Sequence, residues 1–149
     1  IAKHVDVNAG VFSDDGSFLS HVDNPNANTY MIIGKLEWPS YLENNKYKFK
    51  MVWGGSDIDE AGIPKEVVWF QTSKLTESTI RGFEEVGSSG YATGNGCSGF
   101  KGLGRSGDRQ CAFDGNGGGR CWFNCVGARS KHRHGFPGPN EKIATHVEL

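Results

Sequence analysis

Glycine constrains this chain more than any other feature. Twelve of its 22 glycines fall between Gly87 and Gly119 of a 149-residue chain, and the total is roughly double the usual share of about 7%. Glycine loses more backbone freedom on ordering than any other residue and brings no side chain to bury. A segment of this kind cannot fold on hydrophobic burial alone. All four cysteines lie in or just past it, at Cys97, Cys111, Cys121 and Cys125. Two disulfides there would close loops of about 10 to 30 residues and stabilise by about 2 to 4 kcal/mol each. The rival is a zinc site, but spacings of 14, 10 and 4 residues lack the Cys-x-x-Cys knuckles of structural zinc. Disulfides are therefore expected, and with them an oxidising compartment and a secreted, extracellular protein. Three pairings are open; the most local joins Cys97 to Cys111 and Cys121 to Cys125.

The length predicts one domain, residues 1–149, because two halves would each be too small to hold a core without heavy cross-linking. Sixteen basic against 17 acidic residues leave a net charge of -1, so there is no basic excess for a phosphate backbone and no nucleic-acid partner is expected. The longest aliphatic run is Met31-Ile32-Ile33, far below the roughly 20 residues that span a bilayer, so no membrane insertion is expected. The chain begins at Ile1 rather than Met, which fits a trimmed signal peptide. No Asn-x-Ser/Thr acceptor occurs, so no N-glycan is expected.

Before the glycine-rich zone the segments read as strands. Tyr47 to Trp53 alternates cleanly, with Tyr47, Phe49, Met51 and Trp53 inward and Lys48 and Lys50 outward. Thr29 to Trp38 reads as a half-buried strand, paired with it through the Asn44-Asn45-Lys46 turn. Glu66 to Gln71 is a third strand, preceded by a solvated loop from Gly54 to Pro64. Thr76 to Glu85 starts like a helix, but Gly82 and its β-branched residues favour strand. Lys142 to Leu149, in which Ile143, Thr145 and Val147 alternate with smaller or polar neighbours, reads as a terminal strand expected to pair with Lys3 to Val7. Trp38, Trp53 and Trp69 are expected in the core. The sum predicts an all-β, or mainly β, fold: an antiparallel β-sandwich carrying a long glycine-rich, disulfide-braced loop region.

The richest set of ligand-binding groups runs from Asp108 to Asn124. Carboxylates and amides suit vicinal sugar hydroxyls, and an aromatic ring covers the apolar face of a pyranose. Asp114, Asn116 and Asn124 supply the first and a partly exposed Trp122 the second. Asp114-Gly115-Asn116-Gly117 also has the oxygen donors and tight turns of a calcium loop, with Asp114 and Asn116 as ligands, although Asp-Gly and Asn-Gly make plain turns equally well. Pro139-Asn140-Glu141 presents an amide and a carboxylate after a rigid residue. Asp6-Val7-Asn8 and Ser13-Asp14-Asp15 are a further oxygen-rich stretch, read as a strand and an Asp-rich turn.

For catalysis, His132 and His134 are the candidate acid–base or metal pair, read as a solvated basic loop because no third ligand or nucleophile turn accompanies them. Glu84, Glu85 and Asp114 are the carboxylates that would have to converge in a glycosidase. No Gly-x-Ser-x-Gly, Walker loop or His-Glu-x-x-His occurs.

The segment from Asp114-Gly115-Asn116 to Cys121-Trp122-Phe123-Asn124-Cys125 resembles the small secreted lectins of marine invertebrates, several of which bind galactose-type sugars through calcium. The resemblance covers about a quarter of the chain. It implies a glycan-binding function without catalysis, with Asp114, Asn116, Trp122, Asn124, Asn140 and Glu141 in the site. Pro139-Asn140-Glu141 is similar in residue type to the calcium-binding and sugar-binding pair of C-type lectins, which makes their α+β fold the alternative architecture. Shallow sites of this kind bind single sugars weakly, so a homo-oligomer is expected to supply avidity. A small secreted glycoside hydrolase and an extracellular matrix or adhesion domain are the alternative functions.

Overall fold

The computed structural model describes residues 1–5, 18–91, 99–106, 111–115, 122–129 and 134–149. The Asp6 to Asp15 stretch, Cys97, Asn116, Cys121 and His132 lie outside the described residues. The protein is mainly β and antiparallel. Seven strands, β1 (Ala2–His4), β2 (Thr29–Met31), β3 (Leu42–Glu43), β4 (Lys46–Gly54), β5 (Glu66–Gln71), β6 (Glu84–Glu85) and β12 (His146–Glu148), make the largest sheet, in the order β2-β1-β12-β4-β5-β6 with β3 also on β4. A three-stranded sheet joins β7 (Gly104–Arg105), β8 (Phe113–Asp114) and β9 (Cys125–Val126), and a two-stranded one joins β10 (Phe136–Pro137) to β11 (Ile143–Ala144). The only α-helix among the described residues is α1 (Ser56–Glu60), which offers no counterpart to the helical half of the α+β alternative.

The alternating strand is the centre of the fold. In β4, Tyr47, Phe49, Met51 and Trp53 are buried while Lys48 and Lys50 are exposed, the period of two that a one-sided sheet requires. Its partner β5 repeats the pattern, setting Phe49 opposite Trp69 and Met51 opposite Val67. One apolar core takes side chains from all three sheets, among them Trp53 and Trp69, Phe113 and Val126, and Phe136 and Ala144. The chain ends pair, Lys3 opposite Glu148 and His4 opposite Val147, but the expected terminal strand is broken at Thr145: Ile143–Ala144 pairs with β10 and only His146–Glu148 reaches β1.

Several local expectations change. Thr29 to Trp38 is not one strand: β2 stops at Met31 and the chain continues in 3-10 turns at Ile33–Lys35 and Trp38–Tyr41. Ile33 and Trp38 are still buried, both packed into the main apolar core. Asn44 and Asn45 do form a tight turn, with φ of 51° and 62°, as a two-residue hairpin loop requires, but it joins β4 to the short β3. The Gly54 to Pro64 loop contains α1, anchored by the fully buried Ile58. Thr76 to Glu85 is mostly turn, and only Glu84–Glu85 pairs with β5.

Tyr91 packs edge-on against Trp53, with ring centroids 5.7 Å apart. It is 1% exposed, and its hydroxyl has no hydrogen-bond partner among the described residues. Burial, aided by the charge of Glu85, pushes its phenol up to about 12. A phenol raised above its unfolded value stabilises fully below the unfolded value of about 10, and that contribution is lost as pH rises towards 12. The Tyr91 phenolate, read as the 295 nm difference between wild type and Tyr91→Phe, is therefore expected only near pH 12. At neutral pH Tyr91→Phe should leave the melting temperature unchanged or raise it, since it removes a buried hydroxyl with no hydrogen-bond partner among the described residues.

Candidate functional site

The described part of the glycine-rich zone is held by brief ladders and a sulfur bridge. Phe113 pairs with Val126 and Asp114 with Cys125 across β8 and β9, and the Ala112 N–H donates to the Val126 carbonyl at 2.9 Å. This brings Cys111 to Cys125, whose Cα atoms are 5.9 Å apart and joined by a disulfide. The most local pairing is thus corrected. Cys125 is taken by Cys111, so Cys121 cannot pair with Cys125, nor Cys97 with Cys111. Strand pairing, not closeness in sequence, selects the partner.

Trp122 is half-buried and packs on the cluster formed by Cys111, Cys125 and Ala128. Its indole meets Phe123 edge-to-face at 5.3 Å. The disulfide thus seats the aromatic ring without enclosing it. Asp114 is partly buried in β8, between Gly104 of β7 and Cys125 of β9. Next to it, the Gly115 N–H donates to the Asn124 carbonyl at 3.0 Å. A Cβ on Gly115 would stand 2.5 Å from that oxygen and 2.9 Å from the Phe100 ring, so only glycine allows the crossing.

Asn124 was expected to face a sugar, but it is 1% exposed. It holds a left-handed φ of 56° and its Nδ2 donates to the Gly99 carbonyl at 3.4 Å. It braces the loop from beneath. The short polar side chain of asparagine tolerates that backbone conformation and can bond locally, a property read at sequence level as ligand chemistry.

Asn140 and Glu141 are exposed on a 3-10 turn, Pro139–Glu141, with φ of 49° and 61°. The turn is closed by the Lys142 N–H donating to the Pro139 carbonyl at 3.0 Å. It is tied to α1 through the Ile143 N–H, which donates to Asp57 Oδ2 at 2.8 Å. It follows β10, which lies beside β9. Glu84 is paired with Lys46, and Glu85 accepts from the Ser89 N–H at 3.0 Å. As neighbours on one strand the two carboxylates face opposite ways. His134 is exposed at a φ of 51°. Among the described residues no three His, Cys, Asp or Glu side chains converge as a metal set, so a calcium site at Asp114 would draw on amide and carbonyl oxygens.

Sequence reasoning missed an open cleft of about 640 Å³ lined by Thr76, Glu77, Ser78, Thr79, Arg81, Arg105 and Ser106. The Lys74 N–H donates to Glu77 Oε1 at 3.0 Å and Arg81 pairs with the other carboxylate oxygen. The Lys74 backbone bond, then Arg81, hold the Glu77 carboxyl below the usual carboxylate range against the partial desolvation that opposes them. The Arg105 N–H donates to the Glu77 carbonyl at 2.8 Å, fastening this turn to β7. A Cβ on Gly104 would stand 2.9 Å from the same carbonyl. The one available signal was Thr76-Glu77-Ser78-Thr79, a run of turn-forming hydroxyls.

No family model, curated protein or solved structure matches this chain.

Proposed function

We propose that this protein is a secreted, non-catalytic lectin that binds glycans, galactose-type sugars among them, at its disulfide-braced loop. The observation that carries the reading is the partly buried indole of Trp122 seated on the Cys111–Cys125 bridge. A ring held by packing that keeps part of its surface exposed suits stacking on the apolar face of a pyranose. Asp114, with Asn116 beyond β8, binds the sugar hydroxyls directly or through calcium. Asn140 and Glu141 add an exposed amide and carboxylate from the turn after β10. Asn124 acts beneath the site, holding the loop. The disulfide supports the extracellular assignment, and a homo-oligomer gives the avidity that a single shallow site lacks.

The test is a glycan array run with and without chelator, followed by titration of the best galactoside against Trp122→Ala. Truncating an aromatic platform removes about 1.5 to 3 kcal/mol of burial, so a 10- to 100-fold loss of affinity is expected. The chelator arm reads whether Asp114 and Asn116 act through calcium or bind the hydroxyls directly. Saturable binding to no glycan would point to a matrix or adhesion domain, and release of free sugar from the ligand would point to a hydrolase. Light scattering that finds only monomer would remove the avidity argument.

A further inference from the structure

The cleft between the 76–79 turn and β7 lies outside the loop site, and its chemistry is different. Its volume of about 640 Å³ falls in the range of small-molecule sites, yet those sites are mostly apolar. This one is lined by the hydroxyl-bearing residues Thr76, Ser78, Thr79 and Ser106 and by two arginines. Hydroxyls beside guanidinium groups match a polyhydroxylated ligand that also carries an anionic group.

The charges do not cancel. Glu77 is engaged by the Lys74 N–H and by Arg81, which leaves Arg105 without a carboxylate partner among the described residues of the lining. The Arg105 guanidinium stands 5.6 Å from the Phe18 ring centroid. Phe18 is 8% exposed and stacks on Phe113 at 5.2 Å, so the ring that carries the guanidinium belongs to the core. A face-packed guanidinium keeps its edge N–H donors for a bidentate oxyanion. The turn opposite is fixed as well. The Arg81 N–H donates to Ser73 Oγ at 3.0 Å, and the Arg105 N–H donates to the Glu77 carbonyl. The backbone that carries both arginines is therefore fixed before any ligand arrives, which lowers the ordering cost of binding.

We propose that this cleft binds an acidic saccharide, its sulfate or carboxylate on Arg105 and Arg81 and its ring hydroxyls on the Thr76, Ser78, Thr79 and Ser106 side. A nucleic acid fits less well, because the chain carries a net charge of -1 and so has no basic excess to neutralise a phosphate backbone. The inference goes beyond the loop site and fails separately from it: neutral galactosides measure the loop, and the gain in affinity on adding an acid group measures the cleft.

The experiment is calorimetric titration with a chondroitin sulfate tetrasaccharide, a hyaluronan tetrasaccharide and an uncharged chitotetraose. The acidic ligands should bind at least tenfold more tightly than chitotetraose, and Arg105→Ala should remove that gain. Arg105→Gln, which keeps a planar end over Phe18, should remove it too while leaving the melting temperature at the wild-type value. Binding of both acidic sugars assigns the contact to the carboxylate they share, and binding of the chondroitin sulfate alone assigns it to sulfate. The proposal is overturned if neither acidic sugar outbinds chitotetraose, if Arg105→Ala keeps the gain in a folded protein, or if an oligonucleotide of matched charge binds equally well.

Discussion

Gln71→Ala is expected to destabilise the protein by about 3 to 5 kcal/mol, because one side chain satisfies four buried polar groups. Gln71 is fully buried. Its Oε1 accepts from Trp69 Nε1 at 2.8 Å and from the Leu103 N–H at 3.0 Å. Its Nε2 donates to the carbonyls of Ser73 and Leu103, each at 2.9 Å. An amide has two donors and an acceptor oxygen with two lone pairs, and all are used here. Through Leu103 this clasp joins β5 of the large sheet to the segment that leads into β7. Alanine would strand the Trp69 indole and both backbone groups of Leu103 without water to replace the lost partner. A domain's whole stability is about 5 to 15 kcal/mol, and at this length the loss corresponds to a fall of about 10 °C in melting temperature. Urea denaturation measures it directly. Gln71→Glu should fare no better, since a buried carboxylate cannot donate to either carbonyl. A shift below about 1 kcal/mol for either variant would show that the clasp does not hold the two segments together.

Removing the Cys111–Cys125 bridge should cost about 3 kcal/mol, the value for closing a loop of this size, here a separation of 14 residues. The paired variant Cys111→Ala/Cys125→Ala avoids leaving a free thiol and is compared with wild type by calorimetry. Its second effect is functional. Trp122 rests on this bridge and on Ala128, so the variant should lose galactoside affinity by a factor similar to that of Trp122→Ala. Stability near wild type together with full glycan binding would show that the sulfur bridge neither braces the loop nor seats the ring.

The two predictions fall on residues of unequal legibility. Cys111 and Cys125 announce a cross-link through composition, although their pairing depends on the β8–β9 ladder, which two-residue strands leave almost no periodic trace of. Gln71 announces nothing. At the end of β5 it occupies an inward position, two residues after Trp69, where a polar side chain reads as the strand's edge. The cleft was illegible for a related reason. Its lining joins Thr76 to Arg81 with Arg105 and Ser106, segments that meet only once β7 is fastened to the Glu77 carbonyl. The burial of Asn124 likewise follows from a chain crossing at Gly115 that spacing cannot show.

The amino-acid order alone determined the mainly β class, the inward face of β4 and the Asn44-Asn45 turn, because alternation and turn chemistry act over a few residues. Folding in three dimensions decided the cysteine partner, the depth of Asn124, the Gln71 clasp and the arginine cleft. Those features depend on distances between segments up to about 30 residues apart, which packing sets and local preference does not encode.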